Sequence, residues 1–113
     1  RPSAAAAQKG KARRTAVELL VNAGYDVHRA EKDGIAPAHL ACLSGHTAAL
    51  ALLVQAGCDV NQVSINGMTP AYIAAHEDHT AALERLIKAG CDVNLANKNG
   101  ATPAYIAALR GHT

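Results

Sequence analysis

The sequence contains no phenylalanine and no tryptophan, and only three tyrosines and one methionine, yet half of its 113 residues are apolar. A core without large rings must be built from Ala, Leu, Ile and Val, which suits slender helices packed closely together. No apolar run approaches the roughly 18 residues of a membrane span, and neither a span nor a signal peptide is expected within the chain. The three cysteines include no Cys-x-x-Cys pair, which argues against a zinc ribbon. There is no Gly-x-Gly-x-x-Gly or phosphate-loop pattern, and no Ser or Cys stands beside a base in any nucleophile pattern. Charge is scarce too. A net +2 is too small to name a partner, although five of the eleven cations (Arg1, Lys9, Lys11, Arg13, Arg14) precede the first acid, Glu18, and leave the remainder mildly acidic. A basic end can touch nucleic acid or an anionic membrane, but such a cluster reads first as a solvated terminus, and a nucleic-acid partner is not expected.

What the sequence does contain is a period. Gly67–Asn99 shifted back by 33 residues lies on Gly34–Asn66, and shifted forward by 33 its start lies on Gly100–Thr113, without a gap. Gly-Met-Thr-Pro-Ala-Tyr-Ile-Ala-Ala at 67 meets Gly-Ile-Ala-Pro-Ala-His-Leu-Ala-Cys at 34 and Gly-Ala-Thr-Pro-Ala-Tyr-Ile-Ala-Ala at 100. A fixed interval of this length marks stacked repeats, each unable to bury its apolar face alone. The chain reads as a single domain, 1–113, with a degenerate first copy at about 1–33, full copies at 34–66 and 67–99, and a partial copy at 100–113. A chain that begins with Arg1 and stops in mid-repeat at Thr113 is expected to be a fragment, with any targeting segment outside it.

Each copy predicts a turn, a short helix, a tight connection, a longer helix and an exit loop. Pro37, Pro70 and Pro103 fit the first helical turn, where the missing N–H has no helical partner. Thr69 and Thr102 precede them as N-caps; Ala36 replaces Thr in the second copy, losing a cap worth about 1 kcal/mol. First helices are expected at 37–43, 70–76 and 103–109. Gly45, Asp78 and Gly111 follow where a left-handed residue is wanted, Asp78 being the strained member. Second helices are expected at 47–56 and 80–89, with Leu50, Leu53 and Val54, repeated as Leu83, Leu86 and Ile87, at i, i+3, i+4 spacing. Gly24, Gly57 and Gly90 close them. In the first copy Thr15–Val21 matches the second helix, and Ala4–Lys9 is a helix former with little side chain to grip a neighbour. Asn66-Gly67 and Asn99-Gly100 suit hairpin turns that project sideways and link each copy to the next. Ile106 and Leu109 are expected to lack cover, since the fourth copy has no second helix.

The cysteines and histidines follow the same period. Cys58 and Cys91 hold one place in successive copies, about one helix spacing apart, roughly 8–10 Å. That is too far for a disulfide, so three free thiols are expected, in a reducing compartment such as cytosol or nucleus. His46, His79 and His112 recur at the period, which favours a structural, hydrogen-bonded role. His76-Glu77-Asp78-His79 is not a His-Glu-x-x-His helix, and a break at Asp78 would part the imidazoles, so no metal site and no cofactor are expected.

Thr-Pro-Ala-Tyr-Ile-Ala-Ala, Gly-His-Thr at 45–47 and Leu-Leu-Val-Gln-Ala-Gly-Cys-Asp-Val-Asn at 52–61 resemble the ankyrin repeat, well over residues 13–113 and by register alone over 1–12. The resemblance implies an all-α solenoid of stacked helix pairs with short β-hairpin loops. The family's Thr-Pro-Leu-His is never intact here: Leu has become Ala three times, and Tyr72 and Tyr105 replace His, which questions the Thr–His bonding of those copies. The resemblance also implies a non-catalytic module whose protein partner lies along the hairpin tips and the exposed side of the first helices. Those places are Lys32, Asp33, Ile35, Leu43 and Ser44, then Ile65, Asn66, Met68, His76 and Glu77, then Lys98, Asn99, Ala101, Leu109 and Arg110. Ile35, Leu43, Ile65, Met68 and Leu109 either form a contact surface or each pack against their own loop. Two other readings stand beside this one. The repeats could be a spacer within a longer protein. Leu53–Asn61 and Leu86–Asn94, with Leu20–His28, are similar to the ankyrin sequence hydroxylated at the terminal Asn or His by a 2-oxoglutarate-dependent asparaginyl hydroxylase, making Asn61, Asn94 and His28 candidate modification sites.

Overall fold

Prolines, glycines and capping threonines place six helices among the described residues. The structure, a computed structural model, describes residues 15–113. The expected helix at Ala4–Lys9 and the basic N-terminal cluster lie outside the described residues. The helices are α1 (Ala16–Asn22), α2 (Pro37–Ser44), α3 (Thr47–Gln55), α4 (Pro70–His76), α5 (Thr80–Lys88) and α6 (Pro103–Leu109). They form two rows. The first helices α2, α4 and α6 pack in sequence against one another, and the second helices α1, α3 and α5 do the same. Within a copy α2 packs on α3 and α4 on α5. Among the described residues no helix is long and apolar enough to cross a membrane.

The first row is thin because Ala38, Ala41, Ala71, Ala74 and Ala75 are buried between its helices. The bulk of the core comes from the second row, where Leu50, Leu53 and Leu86 are buried and join Ala38, Ala41, Ala71, Ala74, Cys42 and Ile73 in one cluster. The i, i+3, i+4 stripe holds in α3 but weakens in α5, where Leu83 is half-buried and Ile87 is 52% exposed. No further second helix lies beyond α5 among the described residues, so its far side faces solvent. Ile106 departs from expectation in the other direction. It is only 8% exposed, because its position on the turn faces back to α4, whereas Leu109 faces away and is 68% exposed.

The helix ends follow the sequence closely. Thr69 Oγ1 accepts from the Tyr72 N–H at 3.1 Å and Thr102 Oγ1 from the Tyr105 N–H at 3.2 Å. Ala36 offers no such acceptor, and half of a capping box stands in its place: the Ala36 N–H donates to His39 Nδ1 at 3.0 Å. Restoring the missing cap with Ala36→Thr is expected to raise the unfolding free energy by about 1 kcal/mol. Urea denaturation followed by circular dichroism measures this, and a loss of stability would show that the second copy cannot admit the extra hydroxyl. Asp78, at φ 58°, is the one non-glycine with positive φ among the described residues. Its counterpart Gly45 has a second reason to be glycine, since a Cβ there would stand 2.8 Å from the His79 ring.

The loops between copies are hairpin-shaped, yet too short for strands among the described residues. Ser64 N–H donates to the Met68 carbonyl and Gly67 N–H to the Ser64 carbonyl; Asn97 with Ala101 and Gly100 with Asn97 repeat the pattern, as do Glu31 with Ile35 and Gly34 with Glu31. What joins the loops is a backbone bond between neighbours. Ile65 N–H donates to the Asp33 carbonyl at 2.8 Å, and Lys98 N–H to the Asn66 carbonyl at 3.0 Å. These bonds place the tips in one row. They also demand close approach, because a Cβ on Gly34 would come within 3.0 Å of the Ile65 nitrogen.

Candidate functional site

The row of loop tips and the outward side of the first helices bound one continuous strip. Of the residues expected to contact a partner, Lys32, Asp33, Leu43, Ser44, Ile65, Asn66, Lys98, Asn99, Leu109 and Arg110 are exposed, and Ile35, Met68, His76 and Glu77 are half-buried. Ala101 is the exception: it is buried at the base of its loop and offers little more than a methyl group.

The four half-buried members are brought together with the exposed Leu43. Ile35, Leu43, Met68, His76 and Glu77 line a recess of about 330 Å³ between the second and third copies. The recess is mostly apolar, with the His76–Glu77 pair at one end. His39, Leu40, Tyr72 and Ile73 complete its wall, and the sequence reading missed them. Tyr72 carried a signal. It stands where His39 stands one copy earlier, and a phenol cannot reproduce the two-ended bonding of an imidazole. His39 is buried and bonded at both nitrogens, from the Ala36 N–H to Nδ1 and from Nε2–H to the Met68 carbonyl at 3.0 Å, so it ties its helix to the next loop. Tyr72 instead lies over the strip, its ring tilted 31° to that of His76 with centroids 6.3 Å apart. Ile65, Lys32 and Asn66 sit outside the recess, on the tips beside it.

A neighbouring recess of about 360 Å³ between the third and fourth copies is lined by Tyr72, Tyr105, Ile106, Leu109 and the loop at Asn97–Ala101. A further one, of about 380 Å³, lies at the other end of the described solenoid and includes Val17, Leu20, Tyr25 and Leu40. It draws most of its lining from α1, α2 and α3, takes in Ser44 of the expected contact residues, and shares only Leu40 with the recess of the second and third copies.

The titratable groups meet in pairs rather than in one converging cluster among the described residues. Glu77 is bonded to His76 Nδ1 at 2.6 Å, and that bond holds its carboxyl below the usual carboxylate range. His79 turns from them and donates Nε2–H to the Leu43 carbonyl at 3.2 Å, and His112 donates Nε2–H to the His76 carbonyl at 2.9 Å. His79 and His112 thus tether the segment after their own first helix to the end of the preceding copy's first helix, the structural role their period implied. The equivalent reach of His46 ends at residue 10, outside the described residues. Among the described residues no three His, Cys, Asp or Glu side chains converge. Cys42, Cys58 and Cys91 are free thiols, and burial pushes that of Cys42 up to about 12.

The Asp-Val-Asn loops line neither recess of the strip. Asp59 and Asp92 accept from the N–H two residues on, as does Asp26 beside His28. Asn61 is engaged a second time, its Oδ1 accepting from the Asp92 N–H of the next copy at 2.7 Å. Asn94 and His28 are exposed, and Asn61 is half-buried.

A family model described as ankyrin repeats, three copies, matches residues 3–97 and 52–113. No curated protein matches the chain.

Proposed function

This chain belongs to the ankyrin repeat family, and from that premise we propose that it is a non-catalytic scaffold that holds a protein partner along its strip of loop tips and first helices. Ankyrin repeats as a family mediate protein–protein interaction and are typically non-catalytic. The observation that carries the reading is the apolar recess of Ile35, Leu43, Met68 and Tyr72, open to solvent and bordered by exposed tips. Open apolar surface of this kind, rimmed by polar residues, is what contact sites expose. The tips are held by backbone bonds before any partner arrives. Little ordering entropy is then lost on association, so modest contacts suffice. The three free thiols suit a reducing compartment, the cytosol or the nucleus.

The test pairs Leu43→Glu with Met68→Glu in one chain. Neither residue is buried, so circular dichroism and the urea midpoint are expected to stay close to those of the parent. Proteins captured from a cell extract by the two chains are then compared by mass spectrometry. The scaffold reading expects at least one protein retained by the parent and lost by about tenfold or more with the charged pair, the loss typical of burying unpaired charge in a contact. Equal capture by both chains would leave the repeats as a spacer.

A further inference from the structure

The strip changes its chemistry at Tyr72, which is shared by two recesses. On one side Ile35, Leu43 and Met68 make an apolar surface. On the other, Asn97, Asn99 and Tyr105 bring amides and a hydroxyl to the lining. Two cations frame this second part. Lys98 stands on the loop tip between the two asparagines, and Arg110 directly follows Leu109 at the end of α6. Both are exposed and neither makes a salt bridge among the described residues, although Arg110 is near enough to Glu77 to help lower its pKa. The acids of the strip are placed differently. Glu77 borders the apolar recess and is bonded to His76. Asp33 lies two loops away beside Lys32. Asp78 sits past the end of α4, with His112 at 3.9 Å. The strip therefore runs from apolar to mixed apolar and uncharged polar, with Lys98 and Arg110 beside the mixed part and neither held in a salt bridge among the described residues.

Deepening the scaffold reading, on which this rests, we propose that the strip receives an acidic protein segment: an apolar side chain enters the recess of the second and third copies, and Asp or Glu carboxylates one copy further on are held by Lys98 and Arg110. The two anchors are one repeat apart, roughly 10 Å. The guanidinium of Arg110 offers a planar fork matched to a carboxylate, and Lys98 a mobile point charge on the opposite rim. Rim charges of one sign select the partner's sign and speed its encounter more than they add affinity.

Three labelled peptides of about twelve residues test this. They share a Leu-x-x-Leu pair and differ only in the four residues that follow, which are Glu, Gln or Lys. Fluorescence anisotropy with the intact chain is expected to rank them Glu, Gln, Lys, with about tenfold between the first two at low salt. Raising the salt from about 50 to about 500 mM should shrink that gap, because exposed charges are screened. Lys98→Glu with Arg110→Glu, both at exposed positions, should abolish or reverse the ranking while leaving the circular dichroism spectrum unchanged. An unaltered ranking in that variant, or a Lys peptide that binds as well as the Glu peptide, overturns the proposal. So does an oligothymidine of similar length that outcompetes the Glu peptide, which would assign the cations to phosphate, and so does absence of binding by all three peptides at about 1 mM. If binding without charge preference still falls with Leu43→Glu, the scaffold reading survives while the acidic partner does not.

Discussion

Leu50→Ala will lower the unfolding free energy by about 2–5 kcal/mol, a large fraction of what a small domain possesses. Leu50 is fully buried in α3, the middle of the second row, which packs on α1, α2 and α5. Half of the other buried members of its cluster are alanines, which have no long side chains to swing into the space. The cavity therefore stays open, and the cost falls toward the upper part of the range. A repeat stack adds a second consequence. Each copy is held by its neighbours, so a fault in the middle weakens the coupling between the two ends, and unfolding should become less steep as well as earlier. Urea titration followed by circular dichroism reads both effects. Ile87→Ala, one turn from the equivalent of that position and half exposed, serves as the comparison and should fall within about 0.5 kcal/mol of the parent. A Leu50→Ala loss no larger than that would mean the stack does not depend on its second row.

Acid will destabilise the fold through His39, and His39→Leu will remove that sensitivity while lowering stability at neutral pH. Burial lowers the pKa of His39 from 6.5, and its two ring nitrogens are committed as acceptor and donor to Ala36 and Met68. A second proton would have to enter at Nδ1, against the Ala36 N–H. The folded chain thus resists protonation while the unfolded chain accepts it near 6.5, so His39 contributes full stability above that pH. The contribution is lost as pH falls from 6.5 toward the lowered value, by up to about 1.4 kcal/mol per unit. Glu77 acts in a lower window, since its depressed carboxyl favours the fold above the ordinary carboxylate range and ceases to do so as pH falls through its lowered value. In His39→Leu the buried Ala36 N–H loses its acceptor, which costs about 1–3 kcal/mol at neutral pH. The decline between pH 7 and 5.5 should then flatten. Urea midpoints at several pH values decide it: parallel curves for parent and variant would place the acid sensitivity elsewhere.

Much of this architecture was legible from punctuation. Pro37, Pro70 and Pro103, the threonines before two of them and the glycines after the second helices fixed helix ends to within a residue, because each answers a local stereochemical need. The strained Asp78 was legible for the same reason. What lay beyond reach was whatever depends on the adjacent copy. Leu40, Ile73 and Ile106 hold one register position, yet Leu40 is half exposed and the other two are buried, since α4 and α6 each have a first helix behind them. The apolar recess shows the same limit. Its tip and helix residues follow from the repeat, but Tyr72 enters because a ring has replaced the imidazole that would have bound the next loop. The Asn61 bond to the next copy's backbone likewise needs two copies in view.

The bonds between successive loop tips are made by main-chain atoms alone, from Ile65 to Asp33 and from Lys98 to Asn66. Side chains at the summit of each loop are spectators to that ladder. Replacing Ile65 or Lys98 changes what the surface says without loosening the frame that presents it, whereas a side chain at Gly34 or Gly67 would be strained by the positive φ and would crowd the adjoining backbone. Such a molecule can drift toward new associates one letter at a time while its framework stands still.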